Sequence, residues 1–375
     1  MSFETRAIAD AGIAVLDCEH KTPQAQHEGH PYIAIPDIQD GRVRLEKVRR
    51  ISFSDLELWT RRTAPRAGDI LVTRRGRVGD TAPIPANTRC AIGQNLVLLR
   101  SDGETVRQDF LRWAVRGPQW WAEVTRLMNV GAVFSSLNVR DIARIEIPIP
   151  EPQEQQAIAD VLGGIDAKLA VNNRIIRTTM SLMTARYAQS LDDVSAESVA
   201  VESLVRKLVQ PRKLSKLDVS GDGTVPIFDQ SDGGLLGYAS GDGCLMASPS
   251  QPVLYFGDHT CKLRISTQDF FAGPNTIPFV GDGVETAILF CALEGVQKHE
   301  EYKRHWQSLM KKRVVLPSAG HQNELVDIFA SFLALRGSLQ AENRHLVALR
   351  DTLLPELMSG RLRVKDAEKK IEEVV

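Results

Sequence analysis

Twice in this chain, about 170 residues apart, a short strand that stops at proline runs directly into about 40 residues with helical periodicity. The first copy reads Arg144-Ile-Glu-Ile-Pro-Ile-Pro150 and continues from Glu151 to about Ser190; the second reads Arg313-Val-Val-Leu-Pro317 and continues from Ser318 to about Ser359. Each strand ends where proline removes a donor from the ladder. In the second helix Leu325, Ile328, Phe332, Leu335, Leu339, Leu346, Leu349, Leu353 and Leu357 follow steps of three and four, with Glu342 the polar position on the stripe, which is a heptad register. In the first helix Ile158, Leu162, Ile165, Leu169, Ile176, Met183 and Tyr187 form the same kind of stripe, interrupted by Asn172 and Thr179, and adding 170 to these numbers lands on the second stripe. Pro152 with Glu151 and Glu154 opens the first helix, Ser318 suits an N-cap for the second, Pro355 should bend its last turns and Gly360 should stop it. A helix of about 40 residues is a rod of roughly 60 Å, too long for one domain of ordinary radius to cover. The two stripes are therefore expected to cover each other as an intramolecular coiled coil. With a globular segment before each helix, antiparallel pairing would put those segments at opposite ends of the pair.

This divides the chain into a globular segment at 1–150, a spacer helix at 151–195, a second globular segment at 196–317, a second spacer helix at 318–362 and a charged tail at 363–375. A length of 375 residues exceeds the usual single domain, and 43% apolar with 25% charged residues is enough to bury more than one core. Both globular segments read as mixed α/β. In the first, Gly68–Thr73 and Gly93–Leu99 read as strands and Asp109–Met128 as one helix, whose Trp113, Trp120 and Trp121 read as core. In the second, Val225–Phe228, Pro252–Phe256 and Asn275–Val280 read as strands, and the Gly-Asp-Gly triplets at 221–223, 241–243 and 281–283 as turns. No run approaches the roughly 20 apolar residues that span a bilayer, and Met1–Asp10 lacks a basic run followed by an apolar core, so the chain reads as cytoplasmic. Cys18, Cys90, Cys244, Cys261 and Cys291 are scattered and never two apart, which suggests buried apolar residues rather than disulfides or a zinc ribbon.

The net charge of −1 argues against a protein that coats nucleic acid without selectivity. It hides a local excess: residues 42–77 hold 11 basic and four acidic side chains, a balance of +7. Motifs of self-contained catalysis are missing from the sequence. It contains no Gly-x-x-x-x-Gly-Lys-Ser/Thr loop, no His-Glu-x-x-His and no Asn/Asp-Pro-Pro-Tyr/Phe, and Pro36-Asp37 is followed by no Glu-x-Lys at usable distance. Asp218, Ser220, Asp222, Gly223 and Asp229 imitate a calcium loop, but a strand-like run passes through them after Pro211 and no exiting helix follows, which favours a hairpin turn. His20, His27, His30, His259 and His299 lie in loop-like stretches without carboxylates at ligand spacing and receive no chemistry; no metal site and no cofactor is expected in the chain.

The string Ile147-Pro-Ile-Pro-Glu-Pro-Gln-Glu-Gln-Gln-Ala-Ile-Ala-Asp-Val-Leu162, continuing to Ile165-Asp-Ala-Lys168 and Asn172-Asn173, resembles the first conserved helical region of type I restriction-modification specificity subunits. The second such region is resembled by Leu316-Pro317, His321-Gln322 and the leucine stripe ending at Leu357-Met-Ser-Gly-Arg-Leu362, with His321-Gln322 standing where a Glu-Gln pair is usual. The first globular segment is similar to the family through Tyr32–Asp37, Gly68–Leu71, Arg75–Gly79 and Gly93-Gln94-Asn95, and the second, more loosely, through Val225–Phe228 and Phe256–Thr260. The resemblance implies two target recognition domains that each read half of a split DNA target. It also implies two copies of a partner modification subunit that carry S-adenosylmethionine and methylate adenine, and leaves open whether restriction subunits join to cut. The rod of roughly 60 Å would span about 17 base pairs.

On this reading the chain is a non-catalytic DNA-binding subunit. Arg74, Arg75 and Arg77 form a basic turn between two strand-like runs and should touch DNA, with Gln94 and Asn95 beside them through the resemblance. In the second segment His259–Arg264 alternates, placing Thr260, Lys262 and Arg264 on a face expected to point at DNA, with His259 included in the same stretch. The competing readings are a coiled-coil scaffold that never touches DNA, separable by the salt dependence of binding, and a self-contained methyltransferase or nuclease, separable by S-adenosylmethionine titration.

Overall fold

The computed structural model describes residues 3–131, 135–191, 197–210, 214–300 and 304–372. Two compact units divide the chain: Met1–Lys168 with His345–Val375, and Leu169–Arg344. Each long helix contributes to both. The boundary expected at 195/196, Pro211 and the last three residues lie outside the described residues. Among the described residues no helix is long and apolar enough to cross a membrane.

The first unit is built on a four-stranded antiparallel sheet in the order Ile13–Asp17, Leu96–Ser101, Ile70–Thr73, Thr81–Pro83. All four residues of Ile70–Thr73 are buried, so this strand is covered on both faces and reads as a continuous apolar run. A three-stranded sheet holds Arg49–Ile51, His30–Ile33 and Ala91–Ile92, the last two parallel. A clasp pairs Thr5–Ala7 with Glu146–Pro148, just before the first long helix. The single helix expected at 109–128 is two, Gln108–Ala114 and Pro118–Leu127, because Pro118 at the first helical position starts a new helix. Trp113 and Trp120 are fully buried core, whereas Trp121 is 42% exposed.

The second unit repeats these three sheets in the same strand order. Its antiparallel sheet runs Val205–Lys207, Thr276–Gly281, Val253–Gly257, Leu263–Ser266; its three-stranded sheet holds Leu235–Ala239, Val225–Phe228 and Phe271–Ala272, the last two again parallel; and its clasp pairs Glu197–Ala200 with Arg313–Leu316. Single hydrogen bonds repeat as well. Gly93 N donates to Ile33 O and Gly273 N to Phe228 O, both at 2.7 Å. Arg74 N donates to Asn95 O and Asp258 N to Asn275 O, both at 2.9 Å. Asp218, Asp222 and Asp229 of the calcium-like string each accept a hydrogen bond from a nearby serine, and Val225–Phe228 passes between them as a strand of a hairpin.

The long helices are Pro152–Ser190 and Ala319–Met358. They run antiparallel, and the first carries the expected seam: Ile158, Leu162, Ile165, Leu169, Asn172, Thr179, Met183 and Tyr187 are buried and Ile176 is half-buried. The second departs from the expected register in its first half. Leu325, Leu339, Leu346, Leu353 and Leu357 are buried and Leu349 and Phe332 half-buried, but Ile328 and Leu335 are 37% and 45% exposed, and Phe329 and Leu333 are buried instead. There the helix packs on the body of the second unit, where Leu325, Phe329 and Leu333 join one cluster with Phe256, Phe279 and Trp306. A helix lying on a globular body follows a wider stripe at 3.6 residues per turn, not the narrow seam of a coiled coil.

The repeat step is therefore 167 residues and not 170. Gln155 donates Nε2 to Pro150 O at 2.9 Å, and Gln322 donates Nε2 to Pro317 O at 2.8 Å. With that step Ile158, Leu162, Asp166, Asn172, Thr179, Met183 and Tyr187 correspond to Leu325, Phe329, Leu333, Leu339, Leu346, Arg350 and Leu354, and every one of these is buried. The second helix runs on through Pro355 and stops at Gly360, whose φ of 69° only glycine adopts without strain, as Arg361 N reaches back to Glu356 O at 3.1 Å. The charged tail is itself helical over Val364–Glu372 and buries Ala367.

Candidate nucleic-acid interface

In the first unit the basic turn Arg74–Arg77 leaves the buried strand Ile70–Thr73 and returns as Thr81–Pro83. Its three arginines do different things. Arg74 is 19% exposed at its side chain; Nε donates to Leu137 O at 3.2 Å and Nη1 lies 3.8 Å from Asp17 Oδ1. Arg77 donates Nη2 to Ile35 O at 2.8 Å and also to Ile38 O, and Nε lies 3.3 Å from Asp80. Both guanidinium groups are thus occupied in holding the turn to neighbouring loops. Arg75 is exposed, and its side chain has no polar partner among the described residues. Gln94 is exposed and Asn95 half-buried beside the turn, tied to it by Arg74 N and Asn95 O.

Asp17, at the end of its strand, gathers basic side chains from three loops. Its carboxylate lies 3.0 Å from His20 Nε2, 3.6 Å from Arg62 Nη2 and 3.8 Å from Arg74 Nη1, and its carbonyl accepts from Thr63 Oγ1 at 2.8 Å. The sequence alone singles out neither Asp17 nor Arg62 and gives His20 no chemistry. The Asp17/His20 spacing of three and the Arg61-Arg62 pair are the signals they leave, and only the fold brings them to Arg74. Burial, reinforced by Asp17, pushes the neighbouring Cys18 thiol up to about 11. Cys18 is therefore a packed thiol that donates to Gly93 O at 3.2 Å.

The corresponding turn of the second unit is Asp258–Lys262. Here the sequence expectation is corrected, because the alternation assumed for 259–264 is broken by a turn in which Cys261 has φ 56°, and regular strand begins at Leu263. Thr260 Oγ1 donates to Gln230 O at 3.0 Å, His259 N to Gln230 Oε1 at 3.0 Å, and Lys262 pairs with Asp232. Arg264 donates to the carbonyls of Asp229, Ser231 and Asp232 at 2.8–3.0 Å. These side chains fasten the loop 229–232 to the turn instead of forming one free polar face. The expectation that no histidine has a carboxylate partner is corrected at His20. His305 backs onto Asp258, whose Oδ1 accepts from the backbone N–H groups of His305 and Trp306 at 3.0 and 2.9 Å.

The match with known proteins follows this architecture. Over 95% of this chain and 96% of the other, the fold is similar to a crystal structure of the type I restriction-modification system S subunit from M. genitalium, with a TM-score of 0.56 and 16% sequence identity. The fold is thus that of a specificity subunit. Residues 19–178 match the family described as type I restriction modification DNA specificity domain. The putative type I restriction enzyme MjaX specificity subunit of Methanocaldococcus jannaschii is 30% identical over 106 residues, 28% of this chain and 24% of that one. The type I restriction enzyme EcoBI specificity subunit of Escherichia coli is 26% identical over 212 residues, 50% of this chain and 43% of that one. Over residues 19–178 the chain is thus similar to type I restriction-modification specificity subunits, and it spans less than half the length of these two curated relatives.

Proposed function

We propose that this chain gives a type I restriction-modification complex its DNA sequence specificity, with 1–150 and 196–317 as target recognition domains and 151–195 and 318–362 as the helices that carry them. Each domain reads one half of a split target. The observation that carries the reading is the repetition of a single topology, in which equivalent turns, 74–80 and 258–262, leave the buried central strand of each sheet. The exposed Arg75 with Gln94 fits contact to phosphates or base edges, and Arg62 and His20, grouped around Asp17, widen that surface. In the second unit His259 and Lys262 lie at the turn, whereas Thr260 and Arg264 act by positioning it. The chemistry belongs to partners: two copies of a modification subunit that hold S-adenosylmethionine and methylate adenine and, where the system also restricts, restriction subunits that cleave.

The test is to exchange residues 196–317 for those of another family member, co-express the chimera with its modification partner and map methylated adenines. One half of the methylated site should change and the other stay. A change in both halves, or in neither, would refute independent reading by the two domains.

A further inference from the structure

The turn after the central strand of the second unit holds a thiol and two imidazoles that DNA reading leaves unused. Cys261, His299 and His305 each bring one ligand-capable atom to within 4.8 Å of the other two. Cys261 comes from the turn Asp258–Lys262, and the histidines from the stretch leading into the short helix Trp306–Met310. His305 is 1% exposed, its Nδ1 lies 3.0 Å from Asp258 O, and its Nε2 accepts from Glu300 N at 2.9 Å. This fixes the tautomer: Nδ1 carries the proton toward the carbonyl, and the lone pair sits on Nε2. A backbone carbonyl behind one ring nitrogen is the support that orients a metal-binding imidazole. The His299 ring centroid is 5.4 Å from that of His305, and the carboxylates of Asp258 and Glu300 make the surroundings of the thiol anionic.

A second trio, Asp17, Cys18 and His20, converges within the same limit in the first unit. It is unsuited to a cation. Asp17 already faces the guanidinium groups of Arg62 and Arg74, and Cys18 is fully buried against Gly93 O.

We propose that Cys261, His299 and His305 bind one zinc ion. One thiolate and two imidazoles are a donor set that zinc favours, with water completing a tetrahedron. The three atoms would close to about 3.5 Å from one another, as zinc–sulfur and zinc–nitrogen bond lengths require. Cys261 gives its proton to solvent, both histidines bind as neutral imidazoles, and the ion replaces the Glu300 N–H as the partner of His305 Nε2. The ion would tie His299 to the turn at the place where the first unit presents its arginines, ordering the second unit's counterpart of that turn without entering any reaction.

Titrating the reduced full-length chain with Co2+ tests this directly. A near-ultraviolet thiolate-to-cobalt charge-transfer band should grow to one equivalent and be removed by Zn2+. Cys261→Ser should abolish the band, His299→Ala, at an exposed position, should weaken affinity by about tenfold or more, and Cys244→Ser should leave it intact. Absence of the band, its survival in Cys261→Ser, or an unchanged affinity in His299→Ala would each overturn the assignment.

Discussion

Asn172 donates its side-chain amide across the helix seam of the second unit, to Glu342 Oε2 at 2.9 Å and to Asn343 Oδ1 at 3.0 Å. Asn172 is 1% exposed, so both amide hydrogens are spent inside the seam. A polar residue at a seam position fixes register at some cost in stability, because any slipped pairing would bury the amide without partners.

That contact can be inverted. Asn172→Asp puts a carboxylate beside Glu342, and two carboxylates at hydrogen-bond distance cannot both ionise. At pH 7 the variant should lose about 2 kcal/mol of stability. The folded state then holds a proton that the unfolded chain does not, so the loss should shrink as pH falls toward the ordinary carboxylate range. Thermal melts at pH 7 and near pH 4.5 read this. An equal loss at both values would mean that the two side chains do not meet.

In the first unit the helix pair is joined by charge. Asp166, 5% exposed, sits 3.1 Å from Arg350 Nη1 and 3.3 Å from Arg42 Nη2, and also pairs with Arg112. Burial alone would raise its carboxyl pKa, but Arg112, Arg42 and Arg350 together bring it below the usual value. The network is rich in cations: Arg116, also close by and stacked on Trp113, is pushed down to about 10 by burial and by Arg350. Removing the carboxylate strands several guanidinium groups, so Asp166→Asn should cost about 3 kcal/mol or more. The pH sign is opposite to that of Asn172→Asp. A lowered carboxyl pKa stabilises the native state above about pH 4 and is lost as pH falls through the folded value, so the wild-type advantage over Asp166→Asn should vanish in acid. A difference that persists in acid would locate the effect in packing.

The helices and their leading strands were legible in the sequence because their signals are local: a period near 3.6, prolines at strand ends, Gly360 at a stop. Their mutual register was not. Ile328, Phe329, Phe332, Leu333 and Leu335 make an apolar stripe wide enough to fit a repeat of 167 or 170, three residues being nearly one turn, and the choice is made by tertiary contacts such as Gln322 with Pro317. The same division runs through the candidate interface. Arg74, Arg75 and Arg77 are equivalent as letters, and only the fold, by supplying the carbonyls of Leu137, Ile35 and Ile38, occupies two of them and leaves the third. The grouping of Asp17 with Arg62 and Arg74 depends on strand order, which no spacing encodes.

The equivalence of Gln155 and Gln322 carries its own expectation. Gln155 is fully buried; Nε2 donates to Pro150 O and to Thr105 O at 3.0 Å, and Oε1 accepts from Arg107 N at 2.9 Å. Among the described residues the side chain of Gln322 bonds only Pro317 O, and it is half-buried. Truncation leaves unmatched backbone groups in proportion, so Gln155→Ala should cost about 2–3 kcal/mol and Gln322→Ala about 1 kcal/mol. Denaturant melts of the two variants check the order; a larger loss for Gln322→Ala would overturn it.

The three arginines of the first turn separate stability from DNA binding. Arg77→Ala removes a clamp on Ile35 O and Ile38 O, leaving both carbonyls to find other donors, and should lower the melting temperature by several degrees. Arg75→Ala removes an exposed side chain with no polar partner among the described residues, and its effect on stability should stay within about 0.5 kcal/mol. Binding should respond in the other order for a stability-matched comparison. If Arg75 holds a phosphate, its loss weakens binding to every duplex alike and lowers the salt slope by about 1; if it reads guanine, its loss relaxes one position of one half-site by about 1–3 kcal/mol and leaves nonspecific binding intact. The measurement is DNA affinity of the complex with its modification partner across a salt series, for the specific duplex and a scrambled one. Should Arg75→Ala leave both affinities and the salt slope unchanged, the turn is a solvated loop, and the DNA-reading surface of the first unit must lie on the Arg62 and His20 side of Asp17.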